Sequence, residues 1–280
     1  MKKVALSAFI CLIIGVIGSV IYGKQLITVT KGEKVTETKE IDAKDIENII
    51  VNVDVADLHV LPSDGDKITV KLNTTKQPID DMEFEVKEND KVLNVTLKTQ
   101  KESNFGFNFS LGSFINTGSV DLYLSLPEKV YEQIEVTSDV GDIQIGNVNV
   151  SDLYTTSDVG DTELDQVTSE NAKLISNVGD VEVTQGQGAY HVETDTGEIE
   201  LNLLKLSKDT YLKSDIGDVL VSIIEKPKDM VLDLKSDIGD VEVSNFEGVG
   251  RSTGNDLYVE LGNNGPKLQV VTDIGEIDVK

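Results

Sequence analysis

Thirteen carboxylates flank seven glycines in this 280-residue sequence, and they are the groups whose type and spacing could do chemistry. They are Asp139/Asp142, Asp158/Asp161, Asp180, Asp195/Glu198, Asp215/Asp218, Asp237/Asp240 and Asp273/Glu276. Two chemistries suit such a set. Closely spaced oxygen ligands can hold calcium, with Asp139, Asp142, Asp158, Asp161, Asp215, Asp218, Asp237 and Asp240 as the candidates. A carboxylate pair can also act as acid and base on a polysaccharide. Regular repetition argues against the second reading, because it ties the acids to a turn instead of to one active site, and no catalytic residue is expected. His59 and His191 stand apart with no nucleophile motif nearby; His191, in Tyr190-His191-Val192-Glu193, reads as a strand residue. Arg251, the only arginine, lies between Gly250 and Gly254 and reads as a salt-bridge partner. One Cys and two His rule out a disulfide framework and a Cys/His zinc site of ordinary ligand count.

The carboxylates belong to an octapeptide that occurs seven times. The first copy is Ser138-Asp139-Val140-Gly141-Asp142-Ile143-Gln144-Ile145; the others run Ser157 to Leu164, Ser176 to Val183, Thr194 to Leu201, Ser214 to Val221, Ser236 to Val243 and Thr272 to Val279. The glycines Gly141, Gly160, Gly179, Gly197, Gly217, Gly239 and Gly275 are 19, 19, 18, 20, 22 and 36 residues apart. The last gap is two periods, with a degraded copy expected around Thr253-Gly254-Asn255-Asp256. A hydroxyl opens each copy and an Asp or Asn follows, suited to an Asx-turn. The glycine suits a positive-φ corner. Beyond it, aliphatics at alternate positions, such as Ile143/Ile145 and Val219/Val221, read as a strand with one buried face.

A coil of about 19 residues built this way has an apolar face that only a neighbouring coil can cover. The sequence therefore predicts an all-β chain forming a β-solenoid (β-helix) with Gly-Asp corners. Like residues would stack ~4.8 Å apart in a rod of roughly 40 Å. An antiparallel sandwich using the same turns as hairpins is the competing arrangement. Carboxylates ~4.8 Å apart repel by roughly 0.9 kcal/mol per pair in water, which calcium would relieve. The plainer alternative is that each Asp caps its own turn and faces solvent. These corners lack the paired glycines and nine-residue spacing of calcium-binding rolls.

Four segments are expected: an anchor at 1–24, a stalk or first strand at 25–45, degenerate coils at 46–130, and regular coils at 131–280. Val4 to Tyr22 carries no charge and sits between Lys2, Lys3 and Lys24, long enough to span a bilayer as one helix. The cationic leader orients the N-terminus to the cytoplasm and the body outside. Cys11 lies within the apolar run without a lipobox. Within 46–130, Phe84-Glu85-Val86 and Val92 to Leu97 read as a hairpin around Asn89-Asp90. Phe105, Phe107, Phe109 and Phe114 crowd a Gly/Ser/Asn-rich insert that either caps the rod or presents an apolar patch to a partner. The chain stops one residue after Val279, so the final coil, Asp273 to Lys280, is expected at an open end suited to docking.

Composition narrows the partners. With 25 basic and 50 acidic residues the net charge is −25, and outside residues 1–24, which hold three Lys and no acid, it is 22 − 50 = −28. Such a body repels nucleic acid and anionic headgroups. Aromatics at 5% with no Trp weigh against stacking on carbohydrate.

The stretches Ile49-Ile50-Val51-Asn52-Val53, Leu58-His59-Val60-Leu61-Pro62-Ser63-Asp64-Gly65-Asp66, Val120 to Pro127 and Ile134 to Ile143 are similar to a bacterial family. It is the β-strand-repeat "putative adhesin" domain of unknown function, or toast-rack domain, found in LiaG-like envelope-stress proteins. The resemblance covers about residues 45 to 280. It implies a membrane-tethered β-helical domain outside the cytoplasm, in a Gram-positive bacterium, associated with envelope-stress regulators and with no catalytic motif. The expected function is thus a non-enzymatic, adhesin-like interaction module, single-pass through residues 4–22, that contacts envelope or membrane regulatory proteins or wall polymers. No cofactor is expected unless calcium binds.

Overall fold

The computed structural model describes residues 34–75, 82–99, 119–246 and 254–280, so the expected anchor at 1–24 and Phe105, Phe107, Phe109 and Phe114 lie outside the described residues. Every regular element in it is a strand. In chain order these are β1 (Lys34–Asp42), β2 (Asn48–Val55), β3 (Asp57–Ser63), β4 (Lys67–Thr75), β5 (Met82–Asn89), β6 (Val92–Thr99) and β7 (Asp121–Pro127). Next come β8 (Val130–Val140), β9 (Ile143–Gly146), β10 (Asn149–Val159), β11 (Thr162–Asp165), β12 (Thr168–Val178), β13 (Val181–Thr196) and β14 (Ile199–Lys205). The last are β15 (Thr210–Ile216), β16 (Val219–Glu225), β17 (Met230–Ile238), β18 (Val241–Val243), β19 (Asp256–Leu261), β20 (Lys267–Ile274) and β21 (Ile277–Val279).

The strands form two facing sheets, and each coil gives one strand to each. In the first sheet the order is β1-β4-β7-β3-β9-β11-β13-β14-β16-β21-β18, parallel from β7 onward. The second runs β5-β6-β2-β8-β10-β12-β13-β15-β20-β17-β19, parallel from β6 to β17. Strand β13 serves both, turning at Gly186 and Gly188 from the first sheet into the second. The expected solenoid is therefore present. Its coils, in stacking order, are β6/β7, β2/β3, β8/β9, β10/β11, β12 with early β13, late β13 with β14, β15/β16, β20/β21 and β17/β18. Nine coils make eight steps of ~4.8 Å, or about 38 Å.

Alternate side chains fill the space between the sheets. Ile49, Ile134, Leu153 and Tyr190 face inward from the second sheet, and Leu58, Ile143, Val181, Ile199, Val219 and Ile277 from the first, all buried. One register step would turn these rows to solvent, which is why pairing is specified so tightly. Coil lengths differ at the corner opposite the Gly-Asp one. There Asn147, Gln166 and Gln185 take left-handed φ near 54°, and Leu206–Asp209 and Lys226–Asp229 extend the loop.

Three expectations need correction. The final coil is not at an end: β21 pairs with β16 on one side and β18 on the other, and Lys280 N donates to Val221 O (2.9 Å) while its carbonyl accepts from Ile223 N (2.9 Å). Residues 254–256 do not begin a coil, because β19 runs antiparallel along β17 and closes the second sheet. The chain then turns at Gly262 and Gly265, tucked beneath Asp229, and slides β20 between β15 and β17. The third correction concerns the opposite end, where β1 and β4 close the first sheet antiparallel and β5 closes the second, so not every strand before residue 130 belongs to a coil. There β2/β3, earliest of the coils in the chain, is likewise second in the stack.

Candidate functional site: the glycine and carboxylate edge

Stacking the octapeptides brings their side chains into four rows along one edge of the rod. The opening hydroxyls point inward: Ser157, Ser176, Thr194, Ser214, Ser236 and Thr272 are buried. Each of these six donates to a corner glycine carbonyl, as Ser236 Oγ does to Gly275 O (2.8 Å) and Ser214 Oγ to Gly197 O (3.0 Å), whereas Ser138, equally buried, has no hydrogen-bond partner among the described residues.

The glycine is dictated by its neighbour as well as by φ. A Cβ on Gly179 (φ 146°) would lie 2.1 Å from Gly160 O, and the same geometry repeats from Gly141 to Gly239. Ala56 heads this row, its carbonyl oxygen 2.1 Å from where a Cβ on Gly141 would lie.

Asp57 and four of the carboxylates that follow the glycines reach the next coil. Asp57, Asp142, Asp161, Asp180 and Asp218 each accept from a backbone N–H one coil along, at Asp142, Asp161, Asp180, Glu198 and Glu276 (3.1, 2.9, 2.8, 2.7 and 2.8 Å). The expectation that each Asp caps its own turn is thus corrected: the acceptor is needed where coils meet. Such charge-assisted bonds are the stronger class.

The second carboxylate row precedes the glycines: Asp54, Asp139, Asp158, Asn177, Asp195, Asp215, Asp273 and Asp237. Asp54 accepts from Thr99 N (2.9 Å), Asn177 Nδ2 donates to Asp158 (3.0 Å), and Asp215 and Asp237 pair with Lys213 and Lys235 (2.5 and 2.7 Å). Burial, then the charges of Asp54 and Asp158, hold the Asp139 carboxyl above its ordinary pKa. Burial, then Asp180, Asp218 and Glu200, do the same to Glu198.

Between the acid rows runs a row that the sequence reading did not single out. Val140, Val159, Val178, Ile216, Ile274 and Ile238 are 36%, 47%, 49%, 51%, 47% and 66% exposed, and Thr196 stands between Val178 and Ile216. Its signal was present, since six of the seven copies place an aliphatic residue just before the glycine. Alternation alone would have turned it inward; the corner turns it out.

The eight candidate calcium ligands therefore fall into two straight rows. Among the described residues no group of three or more His, Cys, Asp or Glu comes together as a metal site. The histidines stand on outer faces: His59 stacks on Tyr123 (4.7 Å) with Nδ1 2.8 Å from Gln144, and His191 pairs with Glu193 (2.7 Å). Arg251 and residues 4–22 lie outside the described residues, among which no helix is long and apolar enough to cross a membrane.

A family model described as Toastrack DUF4097 matches residues 46–172 and again 130–280. The chain belongs to this family. No curated protein matches the Toastrack chain. Among solved structures it is similar to a "putative adhesin" from Bacteroides fragilis, at 14% identity over 88% of this chain and 97% of that one, TM-score 0.47. A "putative cell adhesion protein" from Clostridium sporogenes shares 14% identity over 89% and 99%, TM-score 0.42. A "putative lipid binding protein" from Parabacteroides distasonis shares 12% over 89% and 98%, TM-score 0.38. Two overlapping family matches on this Toastrack chain agree with a domain assembled from repeated coils.

Proposed function

We propose that this Toastrack protein is a non-enzymatic interaction module of the bacterial cell envelope, held by residues 4–22 with its β-solenoid outside the cytoplasm and serving the envelope-stress response. Its docking surface is the edge where an exposed aliphatic row lies between two rows of carboxylates. That juxtaposition carries the reading. Exposed aliphatic rows, here three residues on either side of Thr196, suit a contact surface, and flanking negative charge selects a segment of another envelope protein with basic residues on both sides of an apolar one. The carboxylates support the stack by accepting N–H groups and are spread evenly, unlike the convergent groups of an active site.

Photocrosslinking in intact cells tests this. A crosslinker at Val159 or Ile216 of the full chain should capture one envelope protein, whereas one at Glu182, on the outer face of the first sheet, should not. Ile216→Lys with Ile274→Lys should abolish the adduct, and deleting the protein should alter the response to envelope-active antibiotics. Equal adducts from Glu182, or no adduct with an unchanged response, would refute the proposal.

A further inference from the structure

The outer face of the second sheet differs from the rest of this acidic molecule. Strand register places Glu135, Tyr154, Lys173, His191, Tyr211, Gln269, Asp233 and Tyr258 in one row across eight adjacent strands. Three of the seven tyrosines of the chain lie in it. Tyr154, Tyr211 and Tyr258 recur every third strand, about 14 Å apart. The His191 and Tyr211 rings lie against each other, 5.0 Å between centroids and tilted by 37°. Tyr154 is 38% exposed and Tyr258 62%.

Between Tyr154 and Tyr211 the face sinks into a depression of about 290 Å³, where the small side chain of Ala189 leaves space among Asn171, Lys173, Asp209 and Gln269. A second depression of about 380 Å³ adjoins it beyond Tyr154 and Lys173, edged by Gln133, Glu135 and Thr156. Tyr154 and Lys173 line both, so the two form one shallow groove along the rod, crossing the strands.

The chemistry of this groove is that of a sugar site. Aromatic rings present apolar faces, and around them stand amide, carboxylate, ammonium and hydroxyl groups that both donate and accept. A pyranose has the complementary character: an apolar C–H face and a rim of hydroxyls. One strand step of ~4.8 Å is close to the length of one pyranose in an extended chain, so successive rings of a glycan along the rod would meet successive strands. Charge in the groove is nearly balanced. Lys267 pairs with Asp233 (2.6 Å) and His191 with Glu193 (2.7 Å). Lys173 has no ion-pair partner among the described residues, which leaves its three donors for hydroxyl or acetamido oxygens.

We propose that this face binds an extended, uncharged β-linked glycan of three or more pyranose units, with Tyr154 and the His191/Tyr211 pair as stacking platforms and Lys173, Asn171 and Gln269 as hydrogen-bonding groups. The low aromatic content, which weighed against carbohydrate as an average, is here concentrated in one row. This site is separate from the aliphatic edge and stands or falls without it.

Isothermal titration of the full chain in detergent would test the site with chitohexaose, the chemistry of an N-acetylhexosamine wall strand, with cellohexaose, the chemistry of an external glucan, and with the charged hexamer of galacturonate. One or both neutral hexamers should bind, and the preferred one identifies the source. Tyr154→Ala and Tyr211→Ala should each weaken binding by about tenfold, Tyr154→Phe should keep it, and Glu182→Gln on the outer face of the first sheet should leave it unchanged. All these positions are on the surface, so unchanged melting confirms the fold. No binding of either neutral hexamer, unaltered binding by both alanine variants, or a preference for the galacturonate hexamer would overturn the proposal.

Discussion

Gly179→Ala puts a single methyl group where two coils touch. The new Cβ would sit 2.1 Å from Gly160 O and 2.6 Å from its carbonyl carbon, well inside the ~3.5 Å at which such atoms pack. Three hydrogen bonds bracket that contact: Gly160 N to Val178 O (3.0 Å), Thr162 N to Asp180 O (2.9 Å) and Asp180 N to Asp161 Oδ1 (2.8 Å). Moving the coils apart by the ~1 Å or more required would break at least two of them, at about 1 kcal/mol each. Holding alanine at φ 146° adds about 1–3 kcal/mol. The sum, roughly 3–5 kcal/mol, corresponds to a fall in Tm of about 10–15 °C for a domain of this size. Thermal denaturation followed by circular dichroism measures it. Gly146→Ala is the matched control within the repeat, since its Cβ would meet nothing nearer than Asp165 O at 4.0 Å. A Gly179→Ala variant melting within about 2 °C of the parent, or a Gly146→Ala variant equally damaged, would refute the stacking account.

The ladder carboxylates give two further expectations. Asp139 and Glu198 titrate above their ordinary values, so the folded state holds their protons more tightly. Their stabilising contribution is present below the ordinary carboxylate pKa and is lost as pH rises through the elevated values; Tm should therefore increase as pH is lowered from neutral toward the ordinary carboxylate pKa. Glu40, held low by its bond to Lys67, works in the opposite sense at still lower pH. A Tm that falls over this interval, or one that Glu198→Gln with Asp139→Asn leaves equally pH-dependent, would contradict the assignment. Asp161→Asn keeps an acceptor for Asp180 N and should be neutral or stabilising, whereas Asp161→Ala should cost about 1 kcal/mol. Equal melting of the parent in calcium and in chelator is expected, and a calcium-dependent rise would restore the metal reading. Thr155 and Thr162 bury hydroxyls without a hydrogen-bond partner, so Thr162→Val should raise stability by about 1 kcal/mol, readable as a Tm increase of about 2–4 °C.

The octapeptide made most of the architecture legible. Ser, Asp, Gly and alternating aliphatics at a period near 19 specify a strand, a corner and a strand, and such coils must stack. Stacking order was not legible, because the coils are chemically interchangeable at their ladders. Ile216, Ile274 and Ile238 occupy equivalent positions whichever neighbour each meets, so nothing local says that residues 267–279 lie inside 230–243. The role of Asp142 or Asp161 was hidden for a related reason: the N–H it serves is 19 residues away and comes within reach only in the stack. The aromatic row was least visible of all. Tyr154, His191, Tyr211 and Tyr258 are scattered over more than a hundred residues, and only the ladder register aligns them.

Threading each outlying coil one place inward has a mechanical meaning. Outermost strands are where a stack ordinarily opens first. Here the final strand, β21, is clasped on both flanks, and the opening coil β2/β3 is held between β6/β7 and β8/β9. Freeing β21 cannot proceed one hydrogen bond at a time along a free margin; it must slide a strand out from between two others, loading several bonds at once. A rod locked in this way spreads a pull on β21 over the ladders on both of its flanks.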